Sequence, residues 1–184
     1  MKHFKLSYIL FSICFLFSLV ACLETQPAHM EYKASYQYTV TAVIDGDTIT
    51  VTDGNALFRI RIAAMDAPEH QQKQGKAATQ RLKSLVLNKK VTYHSVGTGL
   101  DRYGRSLGQI KVKDQDVSMI LISEGLATYY RPFCKDYPDH KEIYNYEPVA
   151  YIQAEKNAQE KKLGVWFDAD FIMPCQFRRL NKNK

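Results

Sequence analysis

Three runs of β-branched and aromatic residues follow one another from Tyr36, and short Asp-Gly turns separate them. The runs read "YQYTVTAVI", "ITV" and "LFRIRIAAM", and the turns read "DGDT" and "TDGNA". Asp-Gly between such runs is a strong hairpin signal, because glycine adopts the positive φ angles of tight turns without steric cost. The pattern therefore predicts a meander of three consecutive antiparallel strands.

Two more strands and three helices are predicted further along the chain. "VTYHSV" and "RSLGQIKV" have the composition of strands, whereas "KAATQRLKSLVLNKK" spaces its apolar residues as a helix does. "DVSMILISEG" predicts a short helix, and residues 148–162 predict a longer one that stops before Gly164. Together these elements predict an α+β fold, a five-stranded barrel of the OB type with about three capping helices. A chain of 184 residues suits one such domain.

The N-terminal segment has the pattern of an export signal. Lys2 and Lys5 precede an apolar run that ends near Val20, too short for a comfortable membrane span. The following "LVAC" resembles the bacterial lipoprotein signal, in which cleavage leaves Cys22 as a lipid-modified N-terminus. Ordinary signal cleavage and an uncleaved anchor are the alternatives. We expect a signal peptide over residues 1–21, a polar tether over residues 22–35, and a monomeric protein exported to the bacterial envelope.

The charge and the remaining cysteines suit an exported domain with a polyanionic partner. Removal of residues 1–21 takes away two lysines and no acidic residue, so the formal net charge falls from +6 to +4. Cys134 and Cys175 form an even pair in an oxidising compartment, which favours a disulfide. A metal site that combines them with His140 is the alternative, but it lacks a second close pair of ligands.

Carboxylates lie at two turns that the meander brings to one edge of the barrel. Asp45 and Asp47 lie in the turn between the first two strands, and Asp66 and Glu69 follow the third. Crowded carboxylates repel one another unless a cation lies among them. Oxygen-only ligands select a hard cation, so this edge predicts a site for Ca²⁺ or Mg²⁺.

Arginines are predicted to lie at the same edge. Arg61 is on the third strand and Arg105 begins the fifth, whereas Arg59 is interpreted as an ordinary surface arginine. A metal ion, a carboxylate and two bidentate cations are the groups that attack on a phosphodiester requires. The residues therefore predict that Arg61 and Glu69 act on one phosphate while Asp66 holds the ion.

Six ordered motifs carry a family resemblance: "VIDGDTITV", "RIRIAAMDAPE", "QGKAATQRLKSLV", "DRYGRSLGQI", "ISEGLA" and "AQEKKLGVW". Over residues 36–168 the chain resembles the thermonucleases, or staphylococcal-nuclease-like proteins. The resemblance implies an OB-fold barrel and a secreted, Ca²⁺-dependent enzyme. It also implies cleavage of DNA and RNA to 3′-phosphate products, and it leaves residues 169–184 as a C-terminal tail.

The resemblance also assigns roles to individual residues. It implies three catalytic side chains: Arg61, Glu69 and Arg105. It implies calcium ligands at Asp47, Asp66 and the backbone carbonyl of Ala67, which stands where the family often has threonine. It implies contacts with a terminal phosphate by Arg102 and Tyr103, and it places Tyr129 and Tyr130 near the base-stacking tyrosines, with burial in the barrel wall as the alternative for these two. The alternative functions are a non-catalytic nucleic-acid-binding OB module, or a lipoprotein that binds another ligand on the same fold.

Overall fold

The computed structural model describes residues 35–101, 103–131 and 148–182. The strands are β1 (Ser35–Val43), β2 (Thr48–Thr52), β3 (Leu57–Ile62), β4 (Met65–Asp66), β5 (Lys90–Leu100), β6 (Ser106–Val112), β7 (Gln115–Asp116) and β8 (Thr128–Tyr129). The helices are α1 (Gly75–Val86), α2 (Val117–Ser123), α3 (Val149–Glu160) and α4 (Pro174–Asn181), with a 3₁₀-helix over Gly164–Phe167. Within these ranges, no helix has the length and apolarity required to cross a membrane.

Five strands close into the predicted barrel. Their order is β3-β2-β1-β5-β6, with antiparallel neighbours, and a parallel pairing between β3 and β6 closes the ring at Ile60–Ser106. The hairpins β1–β2 and β2–β3 confirm the meander that the Asp-Gly turns predict. The short strands β4 and β8 pair beside the barrel, with Met65 opposite Tyr129. The predicted α+β barrel of the OB type is therefore confirmed.

The core fills the barrel and extends under the helices. Alternate residues of the strands point inward, as expected from the period of two along a strand. The fully buried strand residues include Val40, Ile49, Val51, Ile60, Ile62 and Ile110. The helices α1 and α2 cover the barrel with their buried faces, which contain Ala78, Leu82, Val86, Leu121 and Ile122.

The C-terminal segment contains a helix that the sequence patterns do not predict. Residues 169–184 are expected to be a tail, but helix α4 lies there, and the described part of the chain thus has four α-helices. Pro174 occupies the first turn of α4, where its missing N–H costs nothing. The segment before α4 is held by a 2.7 Å hydrogen bond from Gln72 Nε2 to the Ile172 carbonyl. It is also held by edge-to-face packing of Trp166 on Phe171.

Candidate active site

A cleft of about 940 Å³ opens at the barrel edge where the sequence predicts the carboxylates. Its walls come from the β1–β2 turn, the end of β3, the loop before β6, and α4. The lining residues include Asp47, Arg61, Glu69, Arg105, Tyr130 and Arg178. Asp66 is only 2% exposed and lies against this wall. The structure therefore gathers all of the predicted acids and both predicted catalytic arginines at one site.

The turn between β1 and β2 approaches the residue after β4 and helix α1 so closely that only glycine fits at position 46. A Cβ atom on Gly46 would lie 2.5 Å from the Ala67 Cβ and 3.1 Å from the Ala78 Cβ. The backbone N–H of Ala67 donates to Asp47 Oδ2 at 3.2 Å, which ties the two segments together. The glycine of "DGDT" and the small side chain of Ala67 thus bring Asp47 next to Asp66.

Arg61 lies between these two carboxylates. Its Nη2 is 3.1 Å from Asp47 Oδ2 and 3.0 Å from Asp66 Oδ1. Its Nη1 donates to the carbonyls of Ile62 and Met65 at 2.8 and 2.9 Å. Burial lowers the pKa of the Arg61 guanidinium, but the charges of Asp47 and Asp66 outweigh burial, so its pKa is raised. Arg61 thus stabilises the acid pair and the turn that follows β3.

That turn contains a residue in a strained conformation. Ala64 has a φ of 66°, in the left-handed region that residues other than glycine seldom adopt. Its carbonyl accepts a 2.9 Å hydrogen bond from the Tyr130 N–H. The turn redirects the chain from β3 into β4, and this places Asp66 beside Asp47.

Arg105 is held on the opposite side of Asp47. Its Nε donates to Asp101 Oδ2 at 2.8 Å, and its backbone N–H donates to Asp101 Oδ1 at 3.0 Å. Its Nη1 donates to Thr48 Oγ1 at 3.1 Å, and the Thr48 hydroxyl in turn donates to Asp47 Oδ1 at 3.1 Å. Arg105 is therefore connected to the acid pair through a single hydroxyl group.

Arg178 of α4 completes the cluster from the other end of the sequence. Its two terminal nitrogens contact Asp66 at 3.0 and 2.8 Å, and Nη1 also donates to Glu69 Oε1 at 2.7 Å. Burial lowers the pKa of the Arg178 guanidinium, but hydrogen bonds to Asp66 and Glu69 reverse this, so its pKa is raised. Acids and arginines thus alternate along one continuous network from Asp101 to Glu69.

Asp47 is an acid whose charge the protein compensates only in part. Burial raises the pKa of the Asp47 carboxyl, and the opposing effect of Arg61 does not cancel this shift. Asp45 adds a second negative charge nearby and raises the pKa of Asp47 further. More positive charge beside Asp47 would therefore stabilise its ionised form.

The donor set suits a hard cation, although arginines separate the acids. Among the residues described, no three His, Cys, Asp or Glu side chains are arranged as a ready metal site. However, Asp47 and Asp66 both contact one nitrogen of Arg61, so a single cation can reach both carboxylates. The two side chains that converge there offer oxygen atoms, which are the donors that Ca²⁺ prefers. The residues present thus fit such an ion if it takes over part of the guanidinium contacts.

The predicted nucleotide-contacting residues differ in their positions. Tyr130 lines the cleft, and the Arg61 guanidinium lies 5.8 Å from the centre of its ring. Tyr103 is 63% exposed at the cleft rim, and the Arg105 guanidinium lies 5.2 Å from its ring centre. Tyr129, by contrast, is buried in β8. Arg102 lies outside the described residues.

The predicted lipidation and disulfide sites fall mostly outside the described ranges. Cys22 and Cys134 are both outside them. Cys175, in α4, is disulfide-bonded. The pairing of Cys134 with Cys175 therefore stays a prediction.

Three contributors to the site are not predicted from the sequence. Thr48 and Asp101 contribute by hydrogen bonds that position Arg105, and no spacing rule indicates such contacts. Arg178 lies 109 residues from Glu69 in the chain. Proline is common at the first position of a helix and arginine is common in the last turn, so "PCQFRR" carries a helix signal that would have placed Arg178 on a helix.

Comparison with known proteins is consistent with this geometry. The model of the family described as "Staphylococcal nuclease homologue" matches residues 59–168. A protein named "Uncharacterized endonuclease" from Haemophilus influenzae is 35% identical over 144 residues, covering 78% of this chain and 73% of that protein. A "Micrococcal nuclease" from Shigella flexneri is 33% identical over 173 residues, covering 89% and 90%. A "Thermonuclease" from Staphylococcus intermedius is 33% identical over 135 residues, covering 70% and 75%.

Proposed function

The chain belongs to the family of staphylococcal nuclease homologues, and we propose that it is a calcium-dependent nuclease that hydrolyses DNA and RNA to 3′-phosphate products. The observation that supports this most is the cleft in which Arg61, Arg105 and Glu69 surround two buried aspartates. A water-accessible carboxylate that lines the same cleft as two fixed guanidinium groups is suited to hydrolysis of an anionic ester.

Arg105 is the residue that we assign to the phosphoryl oxygens. Asp101 fixes its Nε and its backbone, so the planar guanidinium enters the cleft in a defined orientation. A guanidinium matches two phosphate oxygens and keeps its charge at any physiological pH. Arg105 would therefore stabilise the negative charge that builds up as water attacks phosphorus.

Arg61 and Glu69 are the other two residues that we assign to catalysis. The Arg61 guanidinium, whose Nη2 bridges two carboxylates here, is assigned to the same phosphate. Glu69 has a side chain that is 33% exposed, so water can reach its carboxylate, and we assign it to accept the proton of the attacking water. The new bond joins that water oxygen to phosphorus while the bond from phosphorus to the 5′ oxygen breaks. The 5′ oxygen takes up a proton from water and leaves as a hydroxyl, so the phosphate stays on the 3′ oxygen.

Asp47, Asp66 and the backbone carbonyl of Ala67 are the groups that we assign to Ca²⁺. When bound, the ion supplies positive charge that neutralises a phosphoryl oxygen and polarises the phosphodiester. Tyr130 and Tyr103 present rings at the cleft, where stacking on bases tolerates any sequence. Arg102 is assigned to a terminal phosphate. Such contacts suit an enzyme of low sequence specificity.

Chelation of calcium tests the proposal directly. The purified protein is expected to digest single- and double-stranded DNA and RNA in Ca²⁺, and digestion should stop in excess EGTA. End-group analysis should find 3′-phosphates on the fragments. Digestion that persists in EGTA would exclude Ca²⁺ as the required ion. Binding of DNA without digestion would instead point to a non-catalytic OB module.

The N-terminal signal supports an envelope location for this nuclease. We propose that residues 1–21 are cleaved and that Cys22 carries the lipid, with residues 22–35 as a tether to a monomeric domain. Several acyl chains on one cysteine hold a protein firmly at a membrane, whereas a single chain does not. Cells fed labelled palmitate should label the wild-type protein and not the Cys22→Ala variant. Equal labelling of both would exclude the anchor and leave a secreted enzyme.

A further inference from the structure

Arg178 makes its hydrogen bonds to the same carboxylates that we assign to the ion and to the attacking water. Nη1 and Nη2 contact the two oxygens of Asp66, and Nη1 also contacts Glu69. The Arg178 side chain is 39% exposed, whereas the side chain of Asp66 is 3% exposed. Arg178 thus covers the carboxylate from the cleft side, where an ion would enter.

The bonding capacity of Asp66 is largely used in this arrangement. Oδ1 accepts hydrogen bonds from both Arg61 and Arg178, and Oδ2 accepts one from Arg178. A carboxylate oxygen has two lone pairs, so Oδ1 is saturated and one site is left on Oδ2. A cation that binds Asp66 through both oxygens must therefore displace one of the two arginines.

Arg178 is the arginine that can leave. Arg61 is more deeply buried, with an exposed side-chain fraction of 11%, and two backbone carbonyls hold its Nη1. The hydrogen bonds that Arg178 makes within the described residues go only to Asp66 and Glu69, and its departure leaves no backbone carbonyl without a donor. Displacement of Arg178 therefore costs less than displacement of Arg61.

The protein holds Arg178 close to the site even when its contacts break. The Gln72 side chain accepts from the Glu69 N–H at 2.9 Å and donates to the Ile172 carbonyl, which joins the Glu69 loop to the approach of α4. The Lys73–Asp168 ion pair adds a second tie between the same loop and the segment before α4. A tethered group has a high effective concentration, so Arg178 competes with any ligand of Asp66 at all times.

We propose that Arg178 is a built-in competitor of the calcium ion, and that its displacement from Asp66 sets the affinity of the site for Ca²⁺. The proposal rests on the assignment of Asp66 as a ligand of that ion. It makes α4 part of the nuclease domain, with a role in metal affinity beyond packing.

Calcium titration by isothermal calorimetry tests this role. Arg178→Gln and Arg178→Ala are expected to bind Ca²⁺ about tenfold more tightly than wild type, which corresponds to about 1.4 kcal/mol. Arg178→Lys keeps the charge and loses the bidentate fork, so it should bind with intermediate affinity. The matched control is Arg179→Ala, which removes the same charge from the neighbouring position on α4 and should change the affinity far less.

Three results would overturn the proposal. One is unchanged or weaker Ca²⁺ binding by Arg178→Gln, and another is the absence of calcium binding in every variant. The third is an equal gain in Arg179→Ala, which would mean that only the overall charge matters. Digestion of DNA by the wild-type protein in saturating Ca²⁺ is measured in parallel. If digestion fails while the affinity still depends on Arg178, the proposed function is wrong and the competition stands.

Discussion

At the scale of single residues, the site depends on arginines whose positions are set by acids. Three groups of Arg105 contact Asp101: the backbone N–H, Nε and Nη2 of Arg105. Asp47 and Asp66 both hold the Nη2 of Arg61. Because these contacts orient the guanidinium groups before any substrate enters, little reorganisation is needed when charge develops on a phosphate.

The pH dependence of stability should report the contact between Asp101 and Arg105. Burial raises the pKa of the Asp101 carboxyl, but hydrogen bonds from Arg105 and Tyr103 outweigh it and lower the pKa below its ordinary value of 3.8. A depressed pKa in the folded state stabilises the fold above the ordinary value, and this stabilisation is lost as pH falls through the folded value.

Asp101→Asn should therefore lower the free energy of unfolding by about 1 kcal/mol at pH 7, a modest value because the pair is partly exposed. Urea unfolding of both proteins from neutral to strongly acidic pH measures the difference. The difference in the free energy of unfolding between the two proteins should become smaller as the wild-type Asp101 carboxyl becomes protonated. A difference in unfolding free energy that stays constant to the lowest pH would show that the charge on Asp101 does not contribute to stability.

At the scale of elements, two glycines connect the end of α2 to the segment after α3. Gly125 and Gly164 have φ angles of 69° and 53°, and the Gly125 carbonyl accepts the Val165 N–H at 2.8 Å. A Cβ atom on Gly125 would lie 2.3 Å from the Leu163 carbonyl oxygen. This close backbone contact fixes where α3 ends, and hence where the chain starts toward α4.

Gly125→Ala should reduce the free energy of unfolding by about 3 kcal/mol, because a left-handed alanine is strained and its Cβ also collides with backbone. Gly104→Ala is the matched control. Gly104 has a φ of 72°, and a Cβ atom there would meet no other atom within 4 Å, so only the backbone strain of about 1 kcal/mol applies. Denaturant unfolding compares the two variants. Equal losses would show that the contact with Leu163 is not tight.

The elements also show what the sequence could predict. The meander follows from its Asp-Gly turns, and because its strands alternate in direction, Asp47 and Asp66 had to meet at one edge. Helix α4 has only eight residues, fewer than the roughly 11–18 over which hydrophobic periodicity is normally read, and Pro174 is its one buried side chain. Its contact with Glu69 depends on the course of the chain after α3, which local patterns do not encode.

At the scale of the whole molecule, segments far apart in the sequence form one cleft. The turn with Asp47, the segment from the end of β3 to Asp66 in β4, the loop with Arg105, and α4 with Arg178 each contribute one wall. The barrel keeps the first three in fixed register through the β2–β3 and β3–β6 pairings. The fourth wall, α4, is attached mainly by side-chain contacts and not by strand pairing. This kind of attachment suits the proposal that Arg178 of α4 is displaced by the ion and thereby sets the affinity for Ca²⁺.

The central claim is that this cleft hydrolyses phosphodiesters with Arg105 as a preorganised charge donor. The most direct test is the rate of DNA digestion by Arg105→Ala at saturating Ca²⁺, with circular dichroism to confirm that the variant is folded. The matched control is Arg81→Ala, which removes an arginine that pairs with Glu124 away from the cleft. Arg105→Ala should lose roughly 10²–10³-fold in kcat while Arg81→Ala stays close to wild type. A folded Arg105→Ala enzyme that digests DNA at the wild-type rate would contradict the claim.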